Sequence, residues 1–184
     1  MTGVQTCALP ICILATDLEA SIEFYVELLG PEHCERIPTP DFGVPAPVQW
    51  LRVGDRAIHL FELPIPVAST YYHFGVGARN IEHFHHCFRF ARELGVLESN
   101  TYGHYIYEMP GGDVQLYITD PAGNLVEIDW RDAGEVDREL VTDFRSIADR
   151  KPQGEESLTS SLYLDRLVAR GVVLSDPAAA EVTR

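Results

Sequence analysis

One order of signals, a strand, a helix and three further strands, occurs twice between Cys12 and Trp130. Such a repeat restricts the chain to architectures assembled from two similar modules. In the first copy, ICILATD is a short apolar strand that ends at Asp17, a good helix N-cap. LEASIEFYVELLG then sets Leu18, Ile22, Tyr25, Val26 and Leu29 at helical spacing, with Gly30 as the stop. A weak strand near Cys34 to Ile37 follows. After a Pro- and Gly-containing stretch from Pro38 to Pro47, a hairpin pairs VQWLRV with AIHLFEL across Gly54-Asp55.

The second copy opens at YYHFGV and continues through a helix from about Asn80 to Leu94 that Gly95 closes. It ends in strands near HYIYEM, VQLYIT and LVEIDW. Turns at Pro110-Gly111-Gly112-Asp113 and Pro121-Ala122-Gly123-Asn124 separate these strands. The spacing predicts an α+β fold of two tandem βαβββ modules, 12–63 and 70–130, joined by an apolar linker around Leu63 to Ser69. Beyond Trp130 the alternation stops. VDRELVTDFRSIADR and SLTSSLYLDRLVAR carry apolar residues at helical intervals, so 131–184 is expected to form a helical extension, with mobile residues from Ser175 onward.

Composition narrows the function classes. The 28 acidic and 14 basic side chains give a formal charge of -14, which argues against a nucleic-acid or anionic-membrane surface. No apolar run approaches the roughly 18 residues that span a bilayer, and no signal peptide opens the chain, so a cytoplasmic protein is expected. Cys7, Cys12, Cys34 and Cys87 form no CxxC pair and read as reduced thiols. The opening MTGVQTCALPI fits no strand, targeting peptide or linker. It back-translates without a mismatch to a common sequencing-library adapter, which it resembles, so 1–11 is set apart from the fold.

Four segments, DLEASIEFYVELLG, WLRVGDRAIHLFE, YYHFGV and DPAGNLVEI, carry a resemblance over roughly 12–130 to the vicinal-oxygen-chelate superfamily. This is the fold shared by glyoxalases, bleomycin-resistance proteins and extradiol dioxygenases. The resemblance implies a curled mixed sheet around a metal cavity, with ligands on the first and last strands of each module. On this chain those places are His73 and Glu127 in the second module, His59 as the repeat partner of Glu127, and Pro10 as the repeat partner of His73. Proline cannot ligate a metal, and relatives are expected to carry histidine there. Imidazole and carboxylate donors suit Fe(II), which is favoured, or Mn(II), Zn(II) or Ni(II).

Each residue also has a plainer reading. His73 is equally a hydrogen-bonded core histidine, Tyr117 an ordinary strand tyrosine, and His59 a structural histidine. Glu127, flanked by Leu125, Val126, Ile128 and Trp130, needs a partner if buried. His83, His85 and His86 lie on one helix at intervals that turn them in different directions, and are expected to be a solvated surface. His33 has no evident partner, and His104 precedes a strand where it could line a cavity.

Similarity to extradiol dioxygenases implies that Tyr117 hydrogen-bonds substrate, that Glu127 binds iron, and that His59 is an acid-base residue rather than a ligand. That pattern also wants a histidine shortly before Tyr117, where this chain has Glu108, Met109 and Pro110. Two alternatives remain open: a glyoxalase I-like lyase that uses His59 as a ligand, and a non-catalytic small-molecule binder of the bleomycin-resistance type. In each case the partner is a small molecule and the expected assembly a homodimer.

Overall fold

The computed structural model describes residues 11–40, 43, 45–54, 56–65, 71–158, 161–169 and 171. Residues 1–10 of the adapter-like segment 1–11, Pro10 among them, Asp55 of the hairpin turn, most of the linker around Leu63 to Ser69 and the tail from Ser175 lie outside the described residues, whereas Ile11, set apart from the fold with that segment, opens the first strand.

The chain divides into two compact units. The first comprises Met1–Val76, His86–Tyr105 and Tyr117–Ile128, and the second Gly77–His85, Ile106–Leu116 and Asp129–Arg184. In the first unit, β1 (Ile11–Ala15) leads into α1 (Leu18–Leu29), followed by β2 (Cys34–Ile37), β3 (Val48–Val53) and β4 (Arg56–Glu62). These strands form a sheet of order β1-β4-β3-β2. β1 runs parallel to β4, and the two remaining pairs are antiparallel.

Asp17 caps α1 as its position suggests, its side chain accepting from Ala20 N at 3.0 Å. Glu62 at the end of β4 accepts from Leu18 N at 2.9 Å and so satisfies a second free donor of the first turn. Strand alternation then sorts the sheet's faces. Ile13, Ala15, Leu51, Ile58 and Leu60 are buried together with Ile22, Phe24, Tyr25, Leu28 and Leu29 of α1. Each fully buried aliphatic side chain contributes roughly 1.5–3 kcal/mol. Cys34 belongs to this core, where burial pushes its thiol up to about 12 and keeps it unreactive.

The second module repeats the order. β5 (His73–Gly77), α2 (Ile81–Leu94), β6 (Ile106–Glu108), β7 (Val114–Thr119) and β8 (Leu125–Trp130) are joined by β9 (Arg145–Ser146) in a sheet of order β5-β8-β7-β6-β9. Its first four strands follow the same 1-4-3-2 pattern as the first sheet, which is the duplication seen in the sequence. The fold is therefore α+β, built from two tandem βαβββ modules, each with a mixed sheet. Each module pairs its own first strand with its own last strand, which completes a separate sheet.

The DPAGN turn between β7 and β8 is a clamp. Asp120 is buried, and its Oδ1 accepts from Ala122 N at 3.0 Å and Asn124 N at 2.7 Å. Its Oδ2 accepts from the Tyr25 phenol of α1 at 2.6 Å and from Asn124 Nδ2 at 2.7 Å. Asn124 Nδ2 also donates to Leu14 O of β1 at 2.8 Å. Burial and the neighbouring Asp120 carboxylate raise the Tyr25 pKa well above its ordinary value, so the phenol stays a donor.

Among the described residues of the extension there is a 3-10 turn at Ala133–Glu135, then β9, then three short helices, α3 (Ile147–Arg150), α4 (Glu155–Leu158) and α5 (Leu164–Ala169). Three side chains make four local bonds that break up the first stretch, Ser146 capping α3. Asp132 accepts from Gly134 N, Asp137 from Glu139 N and Leu140 N, and Ser146 from Ala148 N. Backbone from Arg145 to Ser146 is committed to parallel pairing with Tyr107 and Glu108 of β6. No helix of the described residues is long and apolar enough to cross a membrane.

Candidate functional site

The site candidates that the structure brings together all belong to the first unit. His73 opens β5 and Glu127 lies in the middle of β8, its neighbour in the sheet. The imidazole Nε2 stands 3.3 Å from Glu127 Oε2; the histidine side chain is 30% exposed and the carboxylate 8%. On the other side of the ring, Nδ1 is 2.9 Å from the Tyr71 carbonyl. A carbonyl only accepts, so the Nδ1 contact requires a proton there, and neutral His73 then turns an Nε2 lone pair toward the carboxylate. Two lone pairs face each other stably only with a cation between them. A proton on Nε2 or a metal ion at that place would satisfy both atoms.

Three tyrosines surround this pair. The Tyr117 ring, from β7, meets the His73 ring edge-on at 6.2 Å. Tyr102, from the irregular segment before β6, packs 4.6 Å from Tyr117 and 5.6 Å from Tyr71, and its hydroxyl lies 3.3 Å from His73 Nδ1. Burial raises the Tyr102 pKa, and the negative charge of Glu127 and the Tyr71 phenol add to the effect. Tyr102 therefore remains a neutral phenol. Sequence reasoning missed both Tyr71 and Tyr102, because neither lies on a periodic element. The density of aromatic residues around His73, in TYYHF and TYGHY, was the signal that could have found them.

His59 occupies a different environment. It lies in β4 between Cys12 of β1 and Trp50 of β3, and its ring stacks flat on the Trp50 indole at 4.1 Å and 3°. Among the described residues no three His, Cys, Asp or Glu side chains form a group that could hold a metal. His59 therefore does not join the His73 and Glu127 pair as a third ligand within the described residues, and Pro10 lies outside them. Desolvation lowers the His59 pKa from the usual 6.5. Because folding favours the neutral ring, its contribution to stability is full above that unfolded value and is lost as pH falls through the lower folded value. Protonation of a stacked imidazole changes indole emission, so Trp fluorescence is expected to titrate with a midpoint below 6.5, and the step is expected to vanish in His59→Gln. A midpoint above 6.5 would show that the stack is not desolvated.

The remaining histidines make other contacts. The helix trio, expected to be solvated, is instead engaged. His83 is buried, and its Nδ1 accepts from Arg79 N at 3.3 Å. His85 Nε2 accepts from Asp137 N at 3.0 Å. His86 Nε2 is 2.8 Å from Glu27 O of α1. Their different directions are what the helical intervals dictate, but each direction ends on backbone rather than on water. His104 is buried with its ring 4.3 Å from Tyr105, and His33 lies 3.2 Å from Glu32.

No curated protein matches the chain. A sequence profile of the Glyoxalase/Bleomycin resistance protein/Dioxygenase superfamily matches residues 8–128. Similar solved structures include a lactoylglutathione lyase from Agrobacterium tumefaciens, 23% identical, covering 67% of this chain and 92% of that one, with a TM-score of 0.50. The oxidase ChaP-H2 is 20% identical, with 67% and 94% coverage and a TM-score of 0.50. A Glu-to-Gln mutant of the fosfomycin resistance protein FosX from Listeria monocytogenes, complexed with Mn(II) and 1S,2S-dihydroxypropylphosphonic acid, is 15% identical, with 74% and 96% coverage and a TM-score of 0.54. At these identities the structures speak for the fold alone. The profile match covers the duplicated region up to residue 128, and with the two βαβββ sheets already described it assigns the chain: it belongs to the Glyoxalase/Bleomycin resistance protein/Dioxygenase superfamily.

Proposed function

We propose that the protein is a metal-dependent enzyme of the extradiol-dioxygenase type, a homodimer acting on a small substrate through two neighbouring oxygens, with its activity impaired in this chain because Pro10 stands where the first ligand would be. The observation that carries this reading is the 3.3 Å approach of His73 Nε2 to Glu127 Oε2, with the Tyr117 ring at the imidazole edge. The donor set fits a first-row divalent ion. One imidazole nitrogen and one carboxylate oxygen converge, and the other imidazole nitrogen is bonded to a backbone carbonyl, as histidines that ligate metals ordinarily are. The Mn(II) in the FosX complex supports a divalent ion as the class.

Fe(II) is the favoured ion, with Mn(II), Zn(II) or Ni(II) as substitutes; bound there, it would polarise two adjacent substrate oxygens and stabilise charge developing on them. The chain's own residues do the rest. His73 is fixed in orientation by its Nδ1 contact. Glu127, nearly excluded from water, holds its negative charge where it acts most strongly on a cation. Tyr117 is buried and offers a phenol to a substrate oxygen beside His73. His59 is neutral at neutral pH because of its desolvation, the state a general base needs, and we assign it to proton transfer rather than ligation.

The test uses Pro10→His protein loaded anaerobically with Fe(II). Catechol-dependent oxygen uptake that Glu127→Ala abolishes and His59→Gln slows is the expected result. Zinc- or nickel-dependent hemithioacetal isomerisation without oxygen uptake would assign the lyase chemistry instead. Binding without turnover of either substrate would assign a sequestering protein.

A further inference from the structure

We propose that α5 is a charge-held strap: two ion pairs, Arg131 with Asp165 and Arg166 with Asp132, fasten it to the end of β8, so that raising ionic strength detaches it while the sheet stays folded. All of these residues belong to the second unit.

The pairing is reciprocal. Arg131, the residue after β8, donates to the Asp165 carboxylate of α5. One position further along each segment the signs are exchanged, and Arg166 Nη2 stands 3.8 Å from Asp132 Oδ1. An Arg-Asp step thus meets an Asp-Arg step. Sliding α5 by one residue would set like charges together, so the pattern specifies one seating as well as an attraction. Two further contacts complete the fastening. Arg166 Nη1 donates to Gly112 O, in the turn between β6 and β7, at 3.0 Å. The Arg131 guanidinium also lies 5.8 Å from the centroid of the Tyr163 ring, just before α5.

These contacts are of the kind that salt weakens. The side chains of Arg131, Asp165 and Asp132 are 45%, 62% and 44% exposed, and an exposed pair gains little in water and is screened as the Debye length shortens. The hydrogen bond from Arg131 lowers the Asp165 pKa, so the carboxylate stays charged through the neutral range. Leu162 and Val168 do not supply what screening removes, because both are turned to solvent. With six residues α5 is too short to persist as a helix once detached. Its release also withdraws one of the two donors on the Gly112 carbonyl and leaves the other, Ala133 N at 2.9 Å. The start of the extension is held differently, since β9 pairs with β6 through backbone bonds that screening hardly touches. Salt therefore frees the end of the extension and spares its root.

The experiment is amide hydrogen exchange on the full chain at about 0.1 M and about 1 M NaCl, between which the Debye length falls from about 10 to about 3 Å. Exchange in α5 is read against α1 as an internal reference. Native α5 is expected to exchange about 5-fold faster at the higher salt, the upper end of what one exposed pair contributes, with α1 unchanged. Asp165→Asn should exchange at the fast rate already at low salt and respond little to more. Arg131→Asp combined with Asp165→Arg restores opposite charges at that place, so slow exchange and its salt response should return. Native α5 exchange that ignores salt overturns the inference, as does a double variant that exchanges as fast as Asp165→Asn. Equal quickening in α1 overturns it as well, because salt would then be loosening the whole protein.

Discussion

Asp120→Ala is expected to destabilise the protein by about 3–5 kcal/mol, the range for breaking a buried charged network by removing one partner. The carboxylate accepts four hydrogen bonds, from Ala122 N, Asn124 N, Asn124 Nδ2 and the Tyr25 phenol. Alanine leaves the buried Tyr25 hydroxyl without its acceptor, and an unsatisfied buried donor costs about 1–3 kcal/mol on its own. The turn amides then depend on water that must reach a nearly closed site. Tyr25→Phe removes one bond and keeps the ring, so its cost should be about 1–3 kcal/mol. Urea unfolding measures both: the midpoint should fall with an unchanged slope, Asp120→Ala well below Tyr25→Phe. Equal midpoints for the two variants would mean that the turn bonds contribute little and that the Tyr25 contact is the whole clamp.

Replacing His73 or Glu127 should have the opposite profile. Each supplies one of only two convergent donors in the described site, so His73→Ala and Glu127→Ala are each expected to weaken Mn(II) or Fe(II) binding by more than about 100-fold, beyond the usual effect of outer partners. Stability of the metal-free protein should hardly change in Glu127→Gln. Burying a carboxylate is costly, and removing its charge relieves that cost while the amide keeps shape and hydrogen-bonding capacity. Metal analysis after dialysis, run beside urea unfolding, reads the two quantities separately. Full metal content in both alanine variants would end the chelate hypothesis.

Much of this fold was legible because its signals are local. Asp17 and Gly30 bracket α1 at its observed ends, and the apolar spacing from Leu18 to Leu29 allows one helix face. The hairpin strands VQWLRV and AIHLFEL correspond to β3 and, one residue displaced, to β4, because alternation and turn chemistry agree there. His73, Glu127 and Tyr117 were found as a group only through the resemblance to a known family, since no spacing rule links residues on β5, β7 and β8.

What escaped was decided at long range. Tyr102 lies in a segment without periodicity, and its importance depends on where that segment meets Tyr71 and Tyr117. The histidines of α2 have solvent-like spacing on paper, yet Glu27 O and Asp137 N meet His86 and His85. In the extension, helical intervals from Val136 to Ile147 were outweighed by the Asp137 and Ser146 side chains and by pairing with β6. Propensity there lost to bonds that only the assembled sheet makes available.

The turn clamp has one more implication. Asn124 stands three residues before Glu127, so the bonds that fasten the turn to Tyr25 and Leu14 also set the course of the strand that delivers the carboxylate. None of the clamp atoms is itself a donor of the candidate centre. Holding the strand and performing chemistry with it are thus separate duties of neighbouring residues. A library that randomises Tyr71, Tyr102 and Tyr117 while retaining Asp120 and Asn124 can exchange the reactive surroundings of Glu127 without unfastening the scaffold that presents it.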